Sequence, residues 1–419
     1  MRRNSRLLSV TLLFFSLAVL PPSMTAQDIP EGSAEAVSEF AQGMSLYTAQ
    51  NYRDALPHLY RAHELDNSFV VSLFFAALCE GNLGSGVPVD SLYRVVLAER
   101  DRLSPYYVHR AESQLAQSLG DRPLAYDHAL EAARLAPGSK AWYNVAYMAV
   151  RLNKPAEART ALLKLDPDKE PMKGWPGYWS VLARSNDALG RYDEVLRNAA
   201  SLREAFPRSR VPFWVEVNAY GATGDMEGLE SVFEAAGSEP TTSVDYSVGA
   251  LMTLAAAELR AHGHPSESEE MYHRAANWYE NGGEAVAGRY HRRWYGLALM
   301  GANRFQDALA EADRELAKFP NDPWLHGFSG MVAARMGDRD RFETEKAWVV
   351  AQAPGRVPPW LPNQMGYFLA SEGRAEEAVA ALGSAMRQGY PFSAWWHRDP
   401  AFDLIRDHPA FQELIRTKG

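Results

Sequence analysis

The residue types best suited to acid–base or metal chemistry are concentrated near the C-terminus of this 419-residue chain. The segment from Trp395 to Ile415 reads WWHRDPAFDLIRDHPAFQELI and contains His397, Asp399, Asp403, Asp407 and His408. Imidazole and carboxylate groups at this density could bind a metal ion or exchange protons with a substrate. They could also start helices, because Asp before Pro caps a first turn and Pro sets its geometry. DPAF and HPAF recur nine residues apart. The repetition favours two helix starts over a catalytic site.

Two further groups of reactive side chains could likewise have a structural role instead of a chemical one. His262-Gly263-His264 is followed by Glu267, Glu269 and Glu270. The spacing matches no zinc motif, and it is typical of a turn before a helix, with metal binding as the alternative. The single cysteine, Cys79, lies in a mainly apolar helical stretch, which predicts a buried thiol. No nucleophile elbow, phosphate-binding loop or dinucleotide fingerprint is found. We therefore expect a protein that is not an enzyme and has no metal or cofactor.

The first 26 residues have the pattern of an export signal. Three arginines precede an apolar stretch over residues 7–20, and small residues follow before Gln27. We expect cleavage near Ala26, with an uncleaved anchor as the alternative, and a flexible linker over 27–33. The net charge of −9 becomes −12 once the three arginines are removed, which argues against nucleic acid or anionic membrane as a partner. No later stretch is long and apolar enough to span a membrane.

A short phrase recurs along the rest of the chain. It reads NYRDAL (51–56), RYDEVL (191–196), RFQDAL (304–309) and RAEEAV (374–379), and weaker copies give a period of about 36 residues. Twelve residues before the alanine-like position of these copies stand Gly43, Ala183, Gly296 and Gly366. Twelve residues after that position, prolines recur. Small residues let two helices approach closely, and proline ends the second helix. The pattern predicts consecutive helix pairs and an all-α fold.

The pattern of a small residue, an alanine and a proline at these offsets resembles that of the tetratricopeptide repeat, and the resemblance covers roughly residues 34–390. The resemblance implies a right-handed solenoid of about ten helical pairs, with first helices lining a concave face. We expect repeats over 34–240 and 241–390, a seam near 237–244, and capping helices over 391–419. Glu216 and Glu315 depart from the pattern, at a small-residue and an alanine position.

The resemblance also implies function, since tetratricopeptide proteins usually act as scaffolds. We expect an exported, periplasmic or extracellular adaptor that binds a protein or peptide in its concave groove, in envelope or secretion-related assembly, with possible self-association through the solenoid ends. The candidate partner-binding residues are Arg110, Asn144, Tyr147, Trp214, Asn218, Arg289, Arg292, Arg293 and Trp294. The carboxylate clamp known in the family is incomplete, because no cation stands near Gly177 or Val181.

An alternative function uses the same scaffold as a small-molecule or glycan receptor. Its aromatic and arginine residues would then line an enclosed pocket, whereas an open groove would favour a peptide. A third alternative is an enzyme with its site at the C-terminus. For the aromatic and arginine residues themselves the alternative is structural, since aromatic residues at helical spacing often pack between helices and arginines pair with neighbouring acids.

Overall fold

The computed structural model describes residues 33–207, 209–238, 247–282, 292–352 and 360–418. Within these ranges the regular elements are all helical, and no strand occurs. None of the described helices is long and apolar enough to cross a membrane. The predicted all-α, helix–turn–helix architecture is confirmed.

The first eight helices follow one another with short turns between them. They are α1 (Ala34–Thr48), α2 (Tyr52–Leu65), α3 (Val70–Leu83), α4 (Val89–Ala98), α5 (Pro105–Ser118), α6 (Arg122–Leu135), α7 (Ala141–Arg151) and α8 (Pro155–Leu162). Successive helices such as α1 and α2, or α5 and α6, pack against each other as pairs.

Twelve further helices continue the paired arrangement. They are α9 (Pro176–Ala188), α10 (Tyr192–Ala205), α11 (Val211–Thr223), α12 (Met226–Ser238), α13 (Val248–Ala261), α14 (Pro265–Glu280), α15 (Arg293–Gly301), α16 (Phe305–Leu316), α17 (Pro323–Met336), α18 (Arg339–Ala351), α19 (Trp360–Ser371) and α20 (Ala375–Arg387). Two single 3-10 turns, Ala394–His397 and Pro400–Phe402, lead to the last helix, α21 (Pro409–Ile415).

The chain divides into two compact units. Unit 1 contains the residues up to Met148 and Ala161–Lys173, and unit 2 contains Ala149–Thr160 and the residues from Gly174 onward. The expected seam near 237–244 and the expected signal peptide fall largely or wholly outside the described residues. The predicted division at 240/241, the number of repeats and the right-handed superhelix stay predictions.

The small-residue positions are sites of close helix approach. A Cβ atom added at Gly43 would lie 2.8 Å from the Cδ2 atom of Leu59, on the partner helix of the pair. At Gly366 it would lie 2.6 Å from the Cδ2 atom of Leu382. Both separations are below the contact distance of two carbon atoms, so a larger residue would push the two helices apart.

The residues that depart from the repeat pattern are compensated locally. Glu216 accepts a hydrogen bond from the Nε atom of Arg203 at 3.0 Å, and Glu315 accepts one from Lys318 at 2.7 Å. These contacts neutralise two carboxylate charges at positions where the repeat pattern has a small residue or an alanine packed between helices. Cys79 is fully buried, and burial raises the pKa of its thiol to about 12. The expected packing role of this cysteine fits that environment.

The two expected helix starts near the C-terminus form as caps. The Asp399 side chain accepts a hydrogen bond from the backbone N–H of Ala401 at 2.9 Å, and the Nδ1 atom of His408 accepts one from Ala410 at 3.3 Å. Only the second start leads into an α-helix, since the first forms a 3-10 turn. Leu404, which lies between the two starts, is 55% exposed.

Candidate functional site

The C-terminal residues Tyr390–Lys418, here called the terminal segment, pack against the first helices of the pairs in unit 2. These first helices are α9, α11, α13, α15, α17 and α19. The short stretch from Trp395 to Asp403 has partners on five of them, as the following contacts show. The surface that the repeat resemblance assigns to a partner is thus already in contact with the protein's own chain.

Arg398 is the electrostatic centre of this contact. The residue is only 4% exposed, and it forms ion pairs with Glu258 on α13 and, at 3.7 Å, with Asp187 on α9. Burial lowers the pKa of Arg398. Burial also raises the pKa of Asp187, whereas the positive charge of Arg398 acts to lower it. Charges taken out of water are tolerated only when they are paired, so these three residues depend on one another.

Aromatic packing surrounds the ion pairs. Trp395 meets Trp294 of α15 edge to face, with ring centroids 5.9 Å apart at 89°, and the Arg398 guanidinium lies 5.9 Å from the Trp395 ring. The neighbouring Trp396 is fully buried and contacts the ring of Phe392 at 5.5 Å. Edge-to-face aromatic pairs add to the free energy of burial, so both tryptophans anchor the terminal segment.

A second polar group holds the following residues in place. Asp403 accepts hydrogen bonds from Arg260 of α13 at 2.6 Å and from Arg406 at 2.9 Å. Arg335 of α17 donates to the backbone oxygen of Pro400 at 3.2 Å. Asp399 is hydrogen-bonded to Tyr367 of α19, and burial raises the pKa of Asp399 to about 6. Asp399 and Asp403 therefore both hold the segment against the helices.

The α7–α8 turn contacts the far end of the terminal segment. Asn153 adopts a left-handed backbone with φ of 58°. Its amide nitrogen donates to the backbone oxygens of Ile415 at 3.1 Å and Arg416 at 2.8 Å, and its own backbone oxygen accepts from Lys418 at 2.7 Å. The backbone N–H of Phe392 donates to the oxygen of Arg151 at 3.2 Å. Both ends of the segment are therefore fixed by backbone hydrogen bonds.

The terminal segment, α9, α11 and the α7–α8 turn line a partly open cavity of about 330 Å³. Its lining includes Arg151, Arg184, Trp214, Asn218, Trp395 and Arg398. Three arginines face one carboxylate there, that of Asp187. This volume and this mixture of aromatic and polar side chains are typical of small-ligand sites.

Two polar groups of the cavity have capacity for a ligand. Asn218 is 3% exposed and hydrogen-bonded to Asp187, and its Oδ1 atom has no hydrogen-bond partner among the described residues. Arg184 lies 5.7 Å from the ring of Trp214, and among the described residues no carboxylate pairs with it. The cavity therefore offers an acceptor and a positive charge beside an aromatic face.

The candidate residues of unit 1 form a separate group on α5 and α7. The Arg110 guanidinium lies 4.8 Å from the ring of Phe74 and 5.7 Å from that of Tyr106. Its Nε atom is buried and has no hydrogen-bond partner among the described residues. Asn144 and Tyr147 lie on α7, where Tyr147 stacks on Tyr143 at 6.4 Å. A planar cation held between aromatic rings is suited to binding a carboxylate.

The basic stretch at 288–296 is only partly within the described residues, and Arg289 lies outside them. Arg292 forms an ion pair with Glu311, and the Arg293 guanidinium lies 5.2 Å from the ring of Trp324. Trp294 contacts the terminal segment through Trp395. Arg292 is thus engaged within its own helix pair, Arg293 with the next pair, and Trp294 with the chain's own C-terminus.

His262, in the 262–264 turn, is engaged in ordinary hydrogen bonds. The Nε2 atom of His262 is 2.9 Å from the hydroxyl of Tyr192, and its Nδ1 atom is 3.0 Å from the backbone oxygen of Glu258. Of the described residues, a different group brings three metal-ligating atoms together, namely His109, Glu112 and His128 in unit 1.

No family model matches the chain, and no curated protein matches it in sequence. Among solved structures, a tetratricopeptide repeat protein from Parabacteroides merdae is similar over 64% of this chain and 100% of that chain, with 16% identity and a TM-score of 0.38. The Cut9–Hcn1 hetero-tetramer of the APC/C is similar over 98% of this chain and 87% of that chain, with 12% identity and a TM-score of 0.32. At these identities the likeness concerns the fold alone.

The consecutive helix pairs and their buried small residues define the class of protein. This is an all-α protein built from consecutive helix pairs, which is the architecture that the sequence pattern predicted. Sequence reasoning selected Trp214 and Asn218 but missed Arg184, Asp187 and Arg398, which line the same cavity. The acidic and aromatic residues around Arg398 in the terminal segment were a sequence signal for this contact. From the sequence, we interpreted them as helix caps alone.

Proposed function

We propose that this protein is a non-enzymatic interaction protein that binds a protein or peptide on the first helices of its repeats. The observation that supports this most directly is the terminal segment in unit 2. There, first helices hold a stretch of chain through a buried arginine and two tryptophans, and the end of α7 and the α7–α8 turn add backbone hydrogen bonds. These are contacts that a repeat surface makes with a bound peptide.

In unit 1 the group around Arg110 is the proposed partner site. The arginine is oriented by the rings of Phe74 and Tyr106, and Asn144 and Tyr147 stand on the next first helix. Such a group suits an acidic side chain or the terminal carboxylate of a partner peptide. We further propose that the protein is exported and acts in the cell envelope or in secretion, on the basis of its N-terminal sequence pattern.

The partner is to be identified by affinity capture from native envelope extracts and then tested with purified components. We expect Arg110→Ala to weaken binding of the purified partner by at least about tenfold in isothermal titration calorimetry, since an arginine at the centre of an interface commonly contributes this much. Arg94→Ala is the control, because Arg94 is an exposed residue of unit 1 paired with Asp90. Equal affinities of the Arg110 and Arg94 variants would refute this site.

The cavity in unit 2 supports a second candidate function, that of a receptor for a small anionic or sugar-acid ligand. Convergence of Trp214 and Trp395 with Arg184 and Arg398 on one partly open cavity is the observation that favours it. Sugar acids and aromatic carboxylates are suitable probes, because they combine a face for stacking with a charge for arginine.

We expect one of these probe classes to quench tryptophan fluorescence in a saturable manner. Arg184→Ala should abolish the effect, since Arg184 is exposed, no carboxylate in the described part of the chain pairs with it, and its removal leaves the packing of the segment intact. Arg197→Ala, on the neighbouring helix α10 and outside the cavity lining, is the control. Probes of both classes that leave the fluorescence unchanged would refute the receptor function.

A further inference from the structure

Three potential metal ligands meet between the helices of one pair in unit 1. His109 and Glu112 lie on α5, and His128 lies on α6. The Oε2 atom of Glu112 is 3.3 Å from the Nδ1 atom of His109 and 3.2 Å from that of His128. The two Nδ1 atoms are 3.1 Å apart. The three atoms therefore form a nearly equilateral triangle.

The repeat itself shows why this arrangement is unusual. Residues nineteen apart on the two helices of a pair meet in other repeats as well, and there they join a base to an acid. These pairs are Glu39–His58, Arg292–Glu311 and His326–Glu345. At His109 and His128 the same position brings two imidazoles together, and the acid comes from a third residue one helical turn further along. A simple acid–base pair does not account for the second imidazole.

We propose that His109, Glu112 and His128 bind a zinc ion, with solvent at a fourth position. Two imidazoles and one carboxylate are an established zinc donor set. In a tetrahedral site with bonds of 2.0–2.1 Å, ligand atoms lie about 3.3–3.4 Å apart. The three separations in the structure need to increase by only a few tenths of an ångström to reach this geometry.

The surroundings of the group fit an ion that enters from solvent. The side chains of His109, Glu112 and His128 are 31%, 19% and 23% exposed, so a hydrated cation can reach them. Arg100 donates a hydrogen bond at 3.1 Å to Oε1, the other oxygen of Glu112. This bond turns Oε2 toward the two imidazoles and favours coordination through that oxygen alone, as outer-sphere partners of metal ligands commonly do.

Zinc chloride titrated into tag-free, chelator-stripped protein tests the proposal. We expect isothermal titration calorimetry to show one zinc ion per chain and thermal melts to show a higher melting temperature with zinc. His109→Gln, Glu112→Gln and His128→Gln should each weaken binding by more than the ~10–100-fold cost of an outer-sphere change. Cobalt(II) bound at the same site should give the intense visible absorption of a four-coordinate ion.

The matched control is His58→Gln. It removes the histidine at the equivalent position of the first pair, where Glu39 is its partner at 2.7 Å. We expect this variant to bind zinc as the unaltered protein does, and circular dichroism to show that all variants keep their helices. Absence of zinc binding, or unchanged binding after the paired change His109→Gln and His128→Gln, would overturn the proposal. The second result would assign the ion to other histidines.

Discussion

At the scale of single residues, Arg398 is a buried charge of unit 2 that depends on a buried counter-charge. Its side chain is 5% exposed, and that of its partner Glu258 is 3% exposed. Neither charge is solvated, so each is stable in the fold only because the other is there. The fold should therefore be more sensitive to loss of one partner than to loss of both, although Asp187 also loses its counter-charge when Arg398 is removed.

We expect Arg398→Met to lower the free energy of unfolding of unit 2 by about 3–5 kcal/mol, because Glu258 would stay buried without a counter-charge. Arg416→Met should change it by less than about 1 kcal/mol, since Arg416 pairs with Glu413 on the surface. Denaturant unfolding gives both values. Arg398→Met combined with Glu258→Met should recover most of the loss, and a double variant less stable than Arg398→Met would contradict this explanation.

Asp399 makes the terminal segment sensitive to pH. Burial raises the pKa of Asp399 from 3.8 to about 6, so the folded state binds its proton more tightly than the unfolded state. The resulting stability is fully present below pH 3.8 and is lost as pH rises through about 6. Arg406 and the hydrogen bonds from Tyr367 and the Ala401 backbone act in the opposite direction, but burial is the larger effect.

Asp399→Asn should therefore gain stability relative to the unaltered protein as pH rises from about 4 to about 7, by on the order of 1–3 kcal/mol at the upper end. The amide oxygen of Asn can still cap the Ala401 N–H. Urea unfolding at several pH values measures the difference. Asp407→Asn, at an exposed residue, is the control. Parallel pH curves for Asp399→Asn and the unaltered protein would show that burial of Asp399 has no such effect.

At the scale of elements, the terminal segment serves the last helix pair as well as the first helices. Phe402, Phe411 and Ile415 are buried with Leu382 of α20 and Ala370 of α19 in one apolar cluster. Phe402 and Phe411 stack with centroids 5.0 Å apart. The end of a repeat array exposes an apolar face unless other residues cover it, and this cluster covers it here.

We expect Phe402→Ala to cost about 3–5 kcal/mol and to promote association, because it leaves a cavity beneath the segment and loosens this cover. The matched control is Leu404→Ala, two residues away, where the side chain is exposed and the change should stay within about 0.5 kcal/mol. Thermal melts and light scattering after size exclusion measure both effects. Equal behaviour of the two variants would mean that the segment does not cover the end of the array.

At the scale of the whole molecule, the excess of acidic residues bears on the kind of partner. The N-terminal sequence pattern bears on the compartment in which the protein acts. The net charge is −9, which disfavours nucleic acid and anionic membranes as partners. The proposed export would place the protein outside the reducing cytosol. Its single, buried cysteine then has no second cysteine in the chain to pair with.

Expression of the full chain in a host that exports proteins should yield a mature protein beginning at Gln27, because small residues precede it and a basic–apolar pattern leads to it. Intact-mass spectrometry of the exported fraction checks this. Leu13→Arg, which interrupts the apolar stretch, should leave the precursor uncleaved inside the cell. Recovery of the unaltered protein with Met1 retained would contradict the proposed cleavage.

Much of the fold was determined by sequence alone, because helix pairing depends on local periodicity and on single positions of close approach. Gly43 and Gly366 were selected by spacing, and at each a Cβ atom would lie too close to a leucine of the partner helix. The capping roles of Asp399 and His408 followed from their neighbouring prolines in the same way. Such features involve residues near one another in the chain, or repeat with a constant period.

Only the tertiary structure decided which distant residues meet. Arg398 and Glu258 are separated by 140 positions and follow no period, and the cavity residues Arg184 and Trp395 are further apart still. The likeness of the His109–His128 pair to Glu39–His58 also became visible only with both helices in place. A repeat pattern determines how neighbouring helices pack, whereas the path of a terminal segment depends on burying its charges and rings against whichever helices complement them.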